Sequence, residues 1–116
     1  ATGFMVHKAL QAANQLAKDG IEVEVVDPRT LFPLDKKTIY DSVAKTHKVV
    51  IVTEEVKRGA WSGEIAADIA EDCFNTLKAP VKRIGALNSP VPFSPPLEKY
   101  YVPNEVDIIN AVKSIV

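Results

Sequence analysis

The stretch Lys48 to Glu55, Lys-Val-Val-Ile-Val-Thr-Glu-Glu, decides the fold of this chain. Four β-branched aliphatic residues in a row are typical of a strand that is covered on both faces, as in a parallel sheet. Two carboxylates follow the apolar run, at the end of the strand where open α/β sheets collect their ligands. The stretch therefore predicts a central strand, with the rest of the chain packed around it.

Helical and strand-like patterns alternate on both sides of this central strand. In chain order, the sequence predicts a strand end at Ala1–Gly3, a helix over Met5–Asp19, a strand over Ile21–Asp27, a helix from the cap Asp35 to about Lys45, the central strand, a helix from Ser62 or Gly63 up to Leu77, a strand over Val81–Ala86 and a last helix capped by Asn104. Five prolines between Pro90 and Pro103 predict a long loop with no helix in it. The alternation indicates an α/β fold with a mostly parallel sheet and helices on both faces.

The beginning of the chain interrupts this alternation. A strand that leads into the first helix should contain several apolar residues, whereas the sequence starts at the end of such a strand. We therefore expect the N-terminal strand to be missing or truncated, either because the chain is a fragment or because that strand lies on another piece. The result would be a gap in the sheet unless a partner fills it.

Composition limits the class of protein. A chain of 116 residues, 47% apolar and 25% charged, makes one ordinary globular domain. A net charge of −1 argues against a general binder of nucleic acid or anionic membranes, and no apolar run approaches the length of a membrane span. The single cysteine, Cys73, excludes an internal disulfide and a cysteine zinc cluster, which favours a reducing compartment.

Two groups of charged residues follow strand ends, where catalysis or anion binding is conceivable. Glu54 and Glu55 could form an acid/base pair. Because neighbouring residues of a strand point to opposite faces, we favour the alternative in which one carboxylate binds amides of the next loop and the other is solvated. Arg29 could bind an anion, but an ion pair with Asp27 or Glu54 that braces the loop is the preferred interpretation.

Aromatic and apolar residues on loops and at the chain end mark a candidate interface with another subunit. Aromatic residues and arginine are favoured anchors of such interfaces. The candidates are Trp61, Arg58, Phe93, Tyr100, Tyr101 and Val116. Two alternatives stay open: Trp61 could fold back over its own helix, and the loop from Pro90 to Tyr101 could pack onto the core of its own domain. A phosphate site in the loop before the helix at residue 63 is weaker, because the glycine spacing of a phosphate loop is absent.

Several motifs of the chain, in this order, resemble one known family. They are Thr2–Leu10 (Thr-Gly-Phe-Met-Val-His-Lys-Ala-Leu), Val25–Asp35 (Val-Val-Asp-Pro-Arg-Thr-Leu-Phe-Pro-Leu-Asp), Glu54–Glu55, Ala79–Arg83, Pro90–Glu98 and Val102–Asn104. Together they resemble the C-terminal, transketolase-like domain of the beta subunit of 2-oxo acid dehydrogenase decarboxylases, the group that includes pyruvate, branched-chain and acetoin dehydrogenases. The resemblance covers essentially the whole chain, so residues 1–116 would be one domain of a larger beta subunit.

The resemblance implies a three-layer α/β/α fold with a five-stranded mixed sheet. In the parent enzyme, thiamine diphosphate and magnesium would lie outside this domain, and a 2-oxo acid would be decarboxylated with acyl transfer to a lipoyl group. This domain would be inactive alone and would have no catalytic, cofactor-binding or metal-binding residues. Its expected partners are the alpha subunit, a second beta subunit and the subunit-binding domain of the dihydrolipoyl acyltransferase, in the cytoplasm of a prokaryote or the mitochondrial matrix of a eukaryote.

Two residues depart from the family pattern, and two other kinds of protein stay open. Lys78 stands where the family usually has an acidic residue, and a lysine there would repel a basic docking partner. Asn88 stands where aspartate is common. The rivals are a free-standing binding module on the same fold and the equivalent domain of transketolase or deoxyxylulose phosphate synthase. The run Pro90–Glu98 favours the dehydrogenase group.

Overall fold

Five α-helices and two strands form the chain, whose 116 residues are all described by a computed structural model. In order they are α1 (Phe4–Lys18), α2 (Lys36–Thr46), β1 (Val50–Val56), α3 (Trp61–Asp72), a 3₁₀ turn (Phe74–Thr76), β2 (Lys82–Ala86), α4 (Pro95–Tyr101) and α5 (Glu105–Lys113). β1 and β2 are adjacent and parallel, with Val50 opposite Lys82 and Val52 opposite Ile84. The predicted α/β class with a parallel sheet is confirmed.

Consecutive residues of β1 belong to two different cores. Val52 packs in one cluster with residues of α1 and α5, and Ile51 packs in a second cluster with residues of α2 and α3. Side chains of a strand alternate between its two faces, so a run of aliphatic residues can serve both clusters. The central strand is thus covered on both sides, and the three layers follow from that burial.

Segment 21–26 does not form the predicted strand. It has no strand neighbour, and the sheet contains only two hydrogen-bonded strands rather than the five that the family resemblance implies. Val23 and Val25 are half-buried while Glu22 and Glu24 are exposed, as the alternating pattern predicts. The segment forms no hydrogen bonds with β1 because a cavity of about 340 Å³ separates the two. The expected gap in the sheet is therefore present.

The proline-rich loop contains a helix, so the prediction that it has none is wrong. α4 begins at Pro95 and Pro96, which occupy its first two positions after the N-cap Ser94. Proline is tolerated there because the first N–H groups of a helix have no intrahelical partner and the ring already has a helical φ. Prolines that break a helix in its interior thus start one here.

The helix α3 is shorter than its apolar pattern predicts. It begins at Trp61 and ends at Asp72, and Leu77 lies beyond the 3₁₀ turn that follows. The backbone N–H of Lys78 donates to the carbonyl of His47 at 2.9 Å, which requires the chain to leave the helix axis before that point. Leu77 still packs against the second cluster, so its apolar character reflects burial outside a helix.

The last helix is capped by Asn104, as predicted, and the cap can be tested. The Asn104 side chain accepts hydrogen bonds from the amides of Val106 (2.8 Å) and Asp107 (3.1 Å), and the Asp107 carboxylate accepts from the Asn104 amide (2.9 Å). Asn104→Ala removes this reciprocal box and should lower the free energy of unfolding by about 1–2 kcal/mol. Urea denaturation measures the change, with Asn88→Ala, at an exposed residue, as the control. Equal losses in the two variants would contradict the role of the cap.

Candidate functional site

Two loops meet at the carboxyl edge of the sheet, the edge where α/β proteins place their ligands. Residues 57–60 follow β1 and residues 87–94 follow β2, and the amide of Lys57 donates to the carbonyl of Ala86 at 3.3 Å. Gly59 has a φ of 77°, a left-handed conformation that suits the turn between β1 and α3. This edge therefore brings Arg58 and Phe93, two of the predicted interface residues, onto neighbouring loops.

The second loop and α4 present an apolar surface to solvent. Phe93 is completely exposed, Tyr100 is 77% exposed, and Val91 and Leu97 are exposed by more than half. Leu97 and Tyr100 are three residues apart on α4 and so lie on one face of the helix. We call these four residues the loop–α4 surface. Exposed apolar side chains of this size make this part of the domain a candidate interaction surface.

The other candidates are placed differently. Tyr101 is 6% exposed and its carbonyl accepts a hydrogen bond from the amide of Leu87, so its side chain belongs to the interior of the domain. Val116 is exposed. It lies near the opposite edge of the sheet, because the ion pair between Lys113 and Asp19 holds the end of α5 beside the end of α1. Tyr101 therefore differs from Phe93 and Tyr100 in being buried, and Val116 differs from them in lying at another edge of the domain.

Trp61 lies at the start of α3 and is only half-buried. It packs against the second cluster, beside residues such as Ile51 and Ile69. This is the packing expected of a tryptophan that folds back on its own domain. Its contribution to an interface stays a prediction, as does that of the exposed Arg58.

The charged residues at strand ends brace loops or face solvent. Arg29 pairs with Asp27, with 3.2 Å between Nε and Oδ2, as the bracing interpretation predicts. Glu54 and Glu55 are both exposed, and both lie in the part of β1 where the register with β2 is irregular. The expectation that one of them binds a loop amide is wrong, since neither carboxylate accepts a hydrogen bond and the amide of Lys57 already donates to β2.

The remaining chemistry-bearing groups have structural partners. Burial raises the pKa of the Cys73 thiol, so the neutral and unreactive form dominates. Burial and the hydrogen bond to Asp72 raise the pKa of Tyr40. The Nη1 atom of Arg83 donates to the Lys57 carbonyl at 3.1 Å and to the Ser62 hydroxyl at 3.4 Å, so it ties the loop after β1 to the start of α3. No group of three or more His, Cys, Asp or Glu side chains is arranged to hold a metal ion.

No helix in the chain combines the length and the apolar character needed to cross a membrane. A partly buried ion pair joins Lys8 of α1 to Glu105 of α5 at 2.8 Å. The carboxylate of Glu105 has a lowered pKa because of its hydrogen bond to that lysine. This ion pair joins the first and the last helix of the domain.

Several known proteins are similar to this chain in sequence or in fold. The family described as the C-terminal domain of transketolase matches residues 1–108. The beta subunit of 2-oxoisovalerate dehydrogenase from Bacillus subtilis is 45% identical over 97% of the chain and 35% of the relative. The beta subunit of acetoin:2,6-dichlorophenolindophenol oxidoreductase from Cupriavidus necator is 45% identical over 96% of the chain and 33% of the relative. A solved structure described as a split-gene transketolase in an inactive beta4 tetramer has a TM-score of 0.77 and 29% identity, over 98% of this chain and 36% of that one.

Beta subunits of the pyruvate dehydrogenase E1 component are also similar, from Bacillus subtilis and, in a form named mitochondrial, from rice. The chain spans about a third of the length of the curated relatives it matches. The resemblance to 2-oxo acid dehydrogenase beta subunits is thereby confirmed, and the chain belongs to the transketolase C-terminal domain family.

Proposed function

We propose that this chain is a non-catalytic assembly domain of a thiamine-diphosphate-dependent 2-oxo acid dehydrogenase beta subunit, the class of enzyme that decarboxylates a 2-oxo acid and transfers the acyl group to lipoyl. The observation that carries the proposal is the loop–α4 surface, which exposes two aromatic and two aliphatic side chains on a domain of this family. The relatives are beta subunits of multisubunit enzymes by name.

The energetics of this surface favour a protein partner. Burying one phenylalanine and one tyrosine removes roughly 300 Å² or more from water, which is worth about 7 kcal/mol before the costs of association. Aromatic side chains lose little conformational entropy and are common anchors at interfaces. Phe93 and Tyr100 are therefore the proposed anchors, with Arg58 on the neighbouring loop at the rim.

We propose a second beta subunit as the partner of the loop–α4 surface. The similar split-gene transketolase is described as a beta4 tetramer, in which beta chains associate with one another. The alpha subunit and the subunit-binding domain of the dihydrolipoyl acyltransferase are proposed as further partners of the whole beta subunit. Lys78 is exposed, so a docking partner at that position would have to be acidic rather than basic.

Thiamine diphosphate and magnesium would belong to other parts of the parent enzyme. Cytoplasmic or mitochondrial location would then follow the parent enzyme. The isolated domain is expected to be inactive.

Sedimentation velocity tests the proposed assembly. The chain should dimerise, and the double change Phe93→Ser with Tyr100→Ser should raise the dissociation constant about thirtyfold because two desolvated anchors are lost. The matched control is Phe74→Ser, at a residue that is 72% exposed on the 3₁₀ turn and outside the loop–α4 surface. A chain that stays monomeric at millimolar concentration would refute this role. Equal weakening by the control would refute the assignment to this surface.

A further inference from the structure

A groove of about 510 Å³ runs along the edge of β2 that faces away from β1. Its other walls are the chain from Tyr100 to Pro103 and one polar side of α5 with its C-cap. The residues on that side are Asp107, Asn110 and Ser114. We call this feature the β2 groove. Its volume is within the range of roughly 300–1,000 Å³ that is usual for ligand sites.

Backbone groups of β2 point into the groove. The amide of Lys82 donates to the carbonyl of Val49 at 3.0 Å, so this residue bonds toward β1. Bonding residues of a parallel strand alternate, which directs the N–H and C=O groups of Arg83 and Gly85 away from β1. Neither amide donates to a backbone group elsewhere in the chain. An edge of this kind is a template for pairing with a further strand.

The chain closes one end of this edge. The amide of Leu87 donates to the carbonyl of Tyr101 at 3.3 Å, where the segment after α4 crosses the end of β2. Tyr100 also lines the groove at this end and is 77% exposed. An added strand would therefore stop at Tyr101 and extend along the five residues of β2.

The charges that line the groove are mostly positive. Lys57, Lys82 and Arg83 are the cations, and none of them belongs to an ion pair of the chain. Arg83 bonds only neutral acceptors, a carbonyl and a hydroxyl. Asp107 is the one carboxylate in the lining, and it accepts the amide of Asn104. Three cations against one carboxylate favour an anionic occupant.

We propose that the β2 groove is a strand-binding site for an acidic peptide segment, which adds to the free edge of β2 and pairs its carboxylates with the groove cations. The backbone groups of Arg83 and Gly85 lie two residues apart, about 7 Å in a strand, which matches alternate residues of an extended peptide. Main-chain hydrogen bonds then supply affinity and the side chains supply specificity, as in other cases of strand addition. This site is separate from the proposed assembly surface and does not rest on that proposal.

A second copy of this chain is a poorer occupant of the groove. Pairing of two β2 edges would bring Lys82 and Arg83 of one copy next to the same residues of the other. Like charges across a strand pair are destabilising, and lysine on an edge strand is a common protection against such pairing. The same charges attract a strand that carries aspartate and glutamate.

The probe is a peptide with acidic residues on both faces of a strand, fluorescein-Gly-Glu-Asp-Val-Glu-Asp-Gly-amide, titrated into the whole chain. We expect a saturable rise in fluorescence anisotropy that weakens with added salt. Amide hydrogen exchange at Arg83 and Gly85, followed by NMR, should become at least tenfold slower. The amide of Ile84, which points toward β1, is the internal control and should change least.

Two control peptides separate strand pairing from charge. The first keeps the side chains but has N-methyl groups on its three central residues, so it cannot pair with β2. The second has asparagine and glutamine in place of the acidic residues. Each should bind at least tenfold more weakly, because one lacks the main-chain hydrogen bonds and the other lacks the charges.

Variants of two lysines locate the site on the protein. The double change Lys57→Gln with Lys82→Gln removes two of the three cations and should raise the dissociation constant of the acidic peptide at least tenfold. Lys78→Gln is the matched control, because Lys78 is exposed and does not line the groove. Circular dichroism checks that the variants fold, and the comparison of the peptides does not depend on any variant.

Four results would overturn the proposal. The first is no change in anisotropy up to millimolar peptide. The second is equal binding of the N-methylated peptide, and the third is displacement of the peptide by an equal concentration of inorganic phosphate; either would indicate a site for small anions. The fourth is protection of the Gly85 amide that rises with protein concentration without peptide, which would assign the edge to a second copy. The titration can be repeated with Phe93→Ser, outside the groove lining, so that dimerisation through the loop–α4 surface is tested separately.

Discussion

Replacing Met5 with alanine should lower the free energy of unfolding by about 3 kcal/mol, within the range of roughly 2–5 kcal/mol measured for such truncations. Met5 is completely buried in the cluster that α1 forms with β1 and α5, beside Val52 and Ile108. Truncation removes its contacts and leaves a void that the surrounding helices fill only in part. For a small domain of ordinary stability, a change of this size is a large fraction of the total.

Urea denaturation followed by circular dichroism measures the effect of Met5→Ala, with an unchanged slope as evidence that the unfolding remains two-state. Leu10→Ala is the matched control, because Leu10 lies on the same helix and is 47% exposed. The control should cost less than about 1 kcal/mol, since alanine is a good helix former and little burial is lost. Similar losses at the two positions would mean that the first cluster does not hold α1 in place.

Replacing Gly85 with alanine should lower the free energy of unfolding by about 2–3 kcal/mol, because extra atoms in a packed interior force the backbone to shift. A Cβ at this position would lie 2.6 Å from Oγ1 of Thr53 and 2.9 Å from the carbonyl oxygen of Glu55. Neither neighbour moves easily. Thr53 is 1% exposed and its hydroxyl points to the carbonyls of Glu55 and Ile84, and the Glu55 oxygen is part of the backbone.

Gly63→Ala is the matched control for Gly85→Ala. Gly63 lies inside α3, and a Cβ there would be 3.4 Å from the end of the flexible Arg83 side chain. Alanine is favoured over glycine in a helix by about 1 kcal/mol, so this variant should be neutral or more stable. Both variants are measured by the same denaturation experiment. If Gly85→Ala unfolds at the urea concentration of the unmodified chain, the irregular register between β1 and β2 must leave more room than the structure describes.

The local elements of the fold could be predicted wherever a short stretch of chain supplies its own partners. Asp35 and Asn104 cap their helices through side chains that bond amides two or three residues away, so the signal and the interaction lie in the same few residues. The central strand follows equally from its run of β-branched residues. α4 shows the limit of such rules, because the same prolines that exclude a helix interior are compatible with its first turn.

The candidate site could be predicted only in part. Phe93 and Tyr100 are exposed as an interface requires, whereas the adjacent Tyr101 is buried. Nothing in the pair of tyrosines distinguishes them before the direction of α4 is known. Trp61 likewise has the residue type of an interface anchor, but its surroundings are the second cluster.

By itself, the sequence determined the family, the α/β class, the burial of β1 and the helix starts at Asp35 and Asn104, because these depend on the order of motifs and on interactions between near neighbours in the chain. The sequence also predicted a gap in the sheet, but only the tertiary structure decided that the gap lies between segment 21–26 and β1 and leaves an apolar cavity there. The physical reason is that a strand is completed by hydrogen bonds to another strand. An alternating pattern specifies which face of such a segment is buried but not whether a neighbour is there to bond it.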